Sequence, residues 1–183
     1  MRKFVRSLAL VAGLAAPLSI ASAQGGNFGV GSKILSVGLL GGGNNFGIGG
    51  GVAFEVGAKE LAPDFTLGVG GFIGFTQKTY DCSIGCTYTF RAIPIAAIGN
   101  VHYKLKDQPK LDLYGGLSLG FTNYSSSSSY TGFNSDNFGA SSGLGFGLQV
   151  GARYNLTDKV AGMLQLGGGS NTALYFLGLT FKM

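Results

Sequence analysis

From Leu35 to Phe181 the chain places apolar residues at every second position, and helical three-to-four spacing is nearly absent. The runs are Leu35, Val37, Leu39; Ile48, Val52, Phe54, Val56; Phe65, Leu67, Val69, Ile73, Phe75; and Ile93, Ile95, Ala97, Val101, Tyr103, Leu105. They continue with Leu111, Leu113, Leu117, Leu119, Phe121; Leu144, Phe146, Leu148, Val150, Ala152, Tyr154; Leu164, Leu166; and Tyr175, Leu177, Leu179, Phe181. Successive side chains of a strand point to opposite faces, so a period of two predicts strands, here eight, with the seventh the shortest. The 34 glycines strengthen the reading, because each costs about 1 kcal/mol inside a helix.

Two kinds of connection alternate along the chain. Short charged turns lie at Lys59 to Asp64, Lys106 to Lys110 and Asn155 to Lys159. Between them fall segments rich in Gly, Ser and Asn: Gly41 to Asn45, Gln77 to Thr87, Asn123 to Ser142 and Gly168 to Thr172. The five-serine run Ser125 to Ser129 is read as part of a surface loop. Three short turns and four variable loops joining eight strands describe an all-β, antiparallel, up-and-down meander with both termini on the short-turn side. That is the layout of an eight-stranded transmembrane β-barrel, short turns periplasmic and long loops outside.

A soluble eight-stranded barrel would share the strand count, so the residues out of phase with the apolar set must decide. The outer face of a soluble barrel carries polar and charged side chains in quantity. Only 11% of this chain is charged, against about a quarter in an average soluble domain. The out-of-phase set is mostly glycine, as in Gly49, Gly51, Gly57, Gly68, Gly70, Gly74, Gly116, Gly120, Gly145, Gly147, Gly151 and Gly178. Such a face suits the crowded interior of a narrow barrel, with the apolar set turned to lipid and closure satisfying the strand edges. Phe65, Tyr103, Tyr154 and Phe181 lie in the outward phase beside the turns, and Phe75, Phe121 and Tyr175 near the loop ends, as two interfacial belts would.

The first 23 residues have the form of an export signal: basic Arg2, Lys3 and Arg6, apolar Leu8 to Ile20, and the small-residue site Ala21-Ser22-Ala23. The apolar stretch, broken by Pro17, falls short of the ~20 residues a spanning helix requires. The mature chain, 24–183, then begins at Gln24 as one barrel domain. The formal charge of +5 includes those three basic residues; without them it is slightly positive, and no nucleic-acid partner is implied.

The mature chain resembles the family of small eight-stranded outer-membrane β-barrel proteins, the opacity-type porins and their relatives. The resemblance rests on the signal segment, on Arg91-Ala92-Ile93-Pro94-Ile95, on Leu113 to Phe121, and on the closing strand Ala173 to Met183. It implies residence in a Gram-negative-type outer membrane with periplasmic termini and contact with outer-membrane lipid and lipopolysaccharide, and it identifies a fold family rather than one activity; the expectation of a non-enzymatic role rests on the lack of a catalytic constellation in the sequence. Such families usually end in an aromatic residue read by the barrel-assembly machinery. Here Phe181 stands third from the end, before Lys182-Met183, and Tyr175, Leu177, Leu179 and Phe181 keep the alternation of that insertion signal.

Individual residues add finer expectations. Cys82 and Cys86, the two cysteines, lie in one loop segment and are expected to form a small disulfide in an oxidising compartment. A metal centre needs more ligands than they supply, and no cofactor is expected. Gly68 to Gly74 lacks the spacing and the following helix of a dinucleotide site. His102, the sole histidine, falls near the Lys106 turn and reads as a polar lumen or rim residue. A lipid-modifying enzyme would need its base facing the outer leaflet, the opposite end. Glu55, Asp112, Arg153 and Lys182 share the inward phase near the turns, where they could form an ion-paired plug or line a small ion path. The inward glycines would leave a narrow cavity or serve tight curvature and close strand approach. Arg91 and Lys78, at loop ends, could meet lipopolysaccharide phosphates or be solvated rim charges. The principal reading is a monomeric structural or surface-interaction protein whose contact surfaces are the second and third loops. The alternative is a narrow porin-like channel for small solutes or apolar molecules.

Overall fold

The computed structural model describes residues 28–42, 47–81, 86–129, 142–169 and 175–183. The expected signal segment, 1–23, lies outside the described residues. Eight strands follow in order: β1 (Lys33–Gly41), β2 (Ile48–Ala62), β3 (Phe65–Asp81), β4 (Thr87–Lys104), β5 (Leu111–Ser128), β6 (Gly143–Asn155), β7 (Val160–Gly169) and β8 (Tyr175–Lys182). Each pairs antiparallel with the next, and β8 returns to β1 through pairs running from Ile34↔Lys182 to Gly41↔Tyr175. The ring is a closed barrel, so no strand is left at a sheet edge where the ring closes.

Side chains are distributed inside out relative to a soluble protein. Leu117, Leu119, Leu144, Phe146, Leu148 and Val150 are all at least 60% exposed on the outer face. Ser36, Glu55, Thr66, Asn100, His102, Asp112, Gln149, Arg153 and Thr180 are buried in the lumen. Phe65 and Tyr103 stack on the outer face at 4.9 Å, next to the β2–β3 turn. Phe181 and Tyr154 are exposed close to the same end.

Three strands run further than their sequence suggests. β3 reaches Asp81, β4 starts at Thr87, and β5 continues through the serines to Ser128, with Tyr80↔Tyr88 and Phe90↔Ser126 in register. The pairing of β2 with β3 stops at Ile48↔Gln77 and that of β5 with β6 at Thr122↔Gly143. A three-stranded extension therefore rises above one side of the barrel. This corrects the reading of 77–81, of Thr87 and of Ser125 to Ser128 as loop; 82–85 lie outside the described residues. Beyond the closed ring neither face of these strands lines a lumen, so the period-two signal fades, while the backbone ladder and β-forming Thr and Tyr sustain pairing. β7 is ten residues long and the shortest strand is β8, with eight. The Gly167-Gly168-Gly169 end of β7 pairs with β6 without an apolar side chain to mark it.

At the short-turn end the N-terminal segment folds back on the barrel. Gly31 N donates to Gly57 O and Gly57 N to Ser32 O, both at 2.8 Å. Gly29 N donates to Ser32 Oγ and Ser32 N to Gly29 O, both at 3.0 Å, which closes a tight turn. Gly31, at φ +82°, supplies the left-handed conformation this turn requires.

The lumen as candidate functional site

The lumen holds an ion network built from β2, β4, β5 and β6. Register sets it up: His102 pairs with Tyr114, Asp112 with Arg153, and Asn100 with Gly116. These residues all face inward within a few rungs of the short turns. His102 lies at the centre, fully buried, with Nε2 2.7 Å from Glu55 Oε1 and Nδ1 2.9 Å from Asp112 Oδ1. Arg153 joins the same carboxylates from the other side, donating from Nη2 to Glu55 Oε2 at 2.8 Å and from Nη1 to Asp112 Oδ2 at 3.4 Å.

The chemistry of the imidazole follows from this geometry. A carboxylate only accepts, and a neutral imidazole has one donor. Two carboxylates facing both ring nitrogens therefore call for the imidazolium form. Glu55, Asp112, Arg153 and His102 then sum to zero charge, the condition under which a cluster removed from water is tolerable. The network continues through neutral amides: Asn100 Nδ2 donates to Glu55 Oε1 at 3.0 Å, and Gln149 Nε2 to Asn100 Oδ1 at 2.7 Å.

Rings stack through the same cluster. Phe28, from the N-terminal segment, lies on one side of His102 with centroids 3.9 Å apart, and Tyr114 lies 5.2 Å from it. The Arg153 guanidinium sits 4.3 Å from the Tyr114 ring centre, a cation–π contact. Tyr114 Oη donates to Gln165 Oε1 at 3.0 Å. Both cations of the network are thus held by carboxylates and aromatic rings together.

A second, apolar cluster packs inside the barrel beside this network. Leu40, Met163 and Phe176 are buried and pack with Ala53 and Phe72. Leu40 and Phe176 stand near the loop ends of β1 and β8. Ser36 and Thr180 share a hydrogen bond of 2.8 Å across the β1–β8 seam.

The inward glycines are spaces already in use. A Cβ at Gly68 would meet the Glu55 carboxyl, at Gly151 the Tyr114 ring, at Gly116 the Asn100 amide, and at Gly51 the Leu40 side chain. At Gly38, Gly70, Gly120 and Gly178 it would meet the carbonyl of the neighbouring strand. The first group makes room for the lumen's large side chains; the second permits the close strand approach of a narrow barrel. Of the expectations for these residues, close strand approach holds for the second group, while the first group serves the packing of large lumen side chains. Gly99 and Gly143, by contrast, have open space where a Cβ would stand.

Arg153 meets both Glu55 and Asp112, and the second cation that bridges these carboxylates is His102. Lys182, half-buried, stands at the end of β8 opposite Ile34. The sequence phase placed His102 near the turn; its central position comes from register, which brings Glu55 of β2 and Asp112 of β5 to its two nitrogens. Asn100, Gln149 and Tyr114 also belong to the network, beyond the expected site residues. Their hydrogen-bonding capacity on the inward face was the available signal. Phe28 precedes the first alternating run and carried no signal at all. Tyr175, Leu177, Leu179 and Phe181 form the outward face of β8, with the last three exposed. Arg91 Nε donates to Gln77 Oε1 at 3.2 Å, and Lys78 Nζ lies 4.8 Å from the Tyr80 ring centre, both on the strand extension. Cys86 is buried at the start of β4, while Cys82 lies outside the described residues.

No family model and no curated protein matches the sequence. Among solved structures, the outer membrane protein OprG from Pseudomonas aeruginosa matches with a TM-score of 0.54 at 12% identity, over 86% of this chain and 98% of that one. Ail, the attachment invasion locus protein of Yersinia pestis, matches with 0.51 at 14% identity, over 84% of this chain and 99% of its own. The fold is that of the small eight-stranded outer-membrane β-barrels.

Proposed function

We propose that this chain is a non-enzymatic, integral outer-membrane β-barrel with a structural or surface-interaction role and a lumen that does not conduct. The observation that carries the reading is the lumen itself: a charge-balanced network and an apolar cluster occupy the space a channel would need. Eight strands give an interior just wide enough to be filled by side chains. Both ring nitrogens of His102 are engaged by carboxylates, which leaves the sole histidine unavailable as a base.

Several finer readings belong to this proposal. Residues 1–23 act as a cleaved signal peptide, and both ends of the mature chain face the periplasm. The outward face of β8 presents Tyr175, Leu177, Leu179 and Phe181 to the barrel-assembly machinery. A disulfide between Cys82 and Cys86 pins the β3–β4 connection. The β3–β5 extension, with Arg91 and Lys78, faces lipopolysaccharide and surface partners, and the barrel is monomeric. Planar-bilayer recording on the purified protein tests the role: the reading expects no discrete conductance steps. Reproducible steps, together with solute uptake in a liposome-swelling assay, would establish the narrow channel instead.

A further inference from the structure

Phe28 belongs to no strand, yet it is buried and stacks on the central imidazole of the lumen network. The residues that hold it there form a small, separate device. The Gly29–Ser32 turn is pinned to β2 by the two bonds between Gly31, Ser32 and Gly57. Gly57 is matched to this docking, because a Cβ on it would strike the carbonyl of Gly29. β2 also shifts register against β3 just beyond, between Gly57 and Lys59, so the ladder is irregular next to the place where the segment is bound.

Barrel closure owes nothing to this segment. The β1–β2 and β1–β8 ladders run from Lys33 and Ile34 onward, and the ion pairs among Glu55, His102, Asp112 and Arg153 involve none of residues 28–32. We infer that residues 28–32 are a separable plug for the short-turn mouth of the lumen: docking of Phe28 on His102 closes the network to water from that side, and its release opens the network while the barrel stays folded. A ring of this size covers a cation face while adding no polar group that itself needs a partner. Two backbone hydrogen bonds and one aromatic side chain are a small local attachment next to a ladder of eight paired strands, the condition for local opening without global unfolding. The inference goes beyond the proposed function and stands whether or not the barrel resides in a membrane, since it concerns access from one end only.

His102 is the single histidine of the chain, so the exchange of its two ring N–H protons with solvent, read by NMR on protein labelled with nitrogen-15 at histidine, reports water access to the network directly. The full mature chain is refolded in detergent, and barrel formation is checked by the different gel migration of boiled and unboiled samples. In the unaltered protein the His102 ring protons should exchange slowly. In Phe28→Ala, and in Gly57→Ala, which keeps Phe28 but obstructs the docking of Gly29, they should exchange at least tenfold faster with the barrel still folded. Phe28→Trp should restore protection. Equal protection of His102 in folded Phe28→Ala, or rapid exchange in the unaltered chain, overturns the inference. Failure of Phe28→Ala to fold overturns it as well, because the segment would then be part of the barrel's fold rather than a closure. Conductance is not the readout, so a failure here is distinct from a failure of the non-conducting reading.

Discussion

His102 and Glu55, 47 residues apart in sequence, meet at 2.7 Å between Nε2 and Oε1 in the middle of the lumen. The contact ties β4 to β2 across β3, and through Arg153 it reaches β6. A network of this kind is expensive to break on one side only, because the partner left behind is a buried charge without compensation.

Removing the imidazole should therefore cost far more than an average substitution. His102→Leu leaves Glu55 and Asp112 with Arg153 as their one cation, and we expect a loss of about 3 to 5 kcal/mol. His102→Leu combined with Asp112→Asn restores charge balance and should recover part of that loss. Urea titration of the barrel in lipid vesicles, followed by heat-modifiable migration, measures both. Strict additivity of the two substitutions would show that the residues do not act as a unit.

The glycines divide into two classes with opposite sensitivity. Gly151→Ala pushes against the Tyr114 ring and should destabilise by about 1 to 3 kcal/mol, the usual cost of overpacking. Gly99→Ala and Gly143→Ala enter open space and should stay within about 0.5 kcal/mol of the parent. The same unfolding titration compares them, and an equal loss at all three positions would contradict the assignment.

If the lumen does not conduct, as proposed, its two clusters are expected to act as independent barriers to permeation. Glu55→Gln with Arg153→Met removes an ion pair but leaves Leu40, Phe72, Met163 and Phe176 in place, so no conductance is expected. Adding Leu40→Ala and Phe176→Ala should give measurable ion flux in planar bilayers, at a cost of several kcal/mol in stability. Conductance in the first, polar variant alone would mean that the apolar cluster does not seal.

The strand count, the outward phase and the up-and-down connectivity were all legible in the sequence. Apolar residues such as Leu117, Leu119 and Phe121 mark one face with a period that no helix shares. The strand ends above the rim were not, because Ser125 to Ser128 pair through backbone groups that every residue carries. The ion network was legible in part: Glu55, Asp112 and Arg153 share a phase, but which of them touch depends on the stagger between strands, which phase does not record. The place of Phe28 was wholly illegible, since one aromatic ahead of the first strand has no period to belong to.

A charge on the outer face is the next discriminating substitution. Leu148→Arg sits mid-strand on that face and should cost about 2 to 4 kcal/mol in lipid, the usual penalty for a lipid-facing arginine near the bilayer midplane. On the surface of a soluble barrel it would cost almost nothing. Urea titration in vesicles reads the difference.

The most direct measurement places a reporter on that face. The chain contains no tryptophan, so single variants Leu117→Trp, Leu148→Trp and Leu156→Trp each carry one fluorophore at an exposed leucine. In vesicles of lipids brominated deep in the acyl chain, strong quenching is expected at 117 and 148 and weak quenching at 156, in the β6–β7 turn. Equal and weak quenching at all three positions would contradict a lipid-facing barrel.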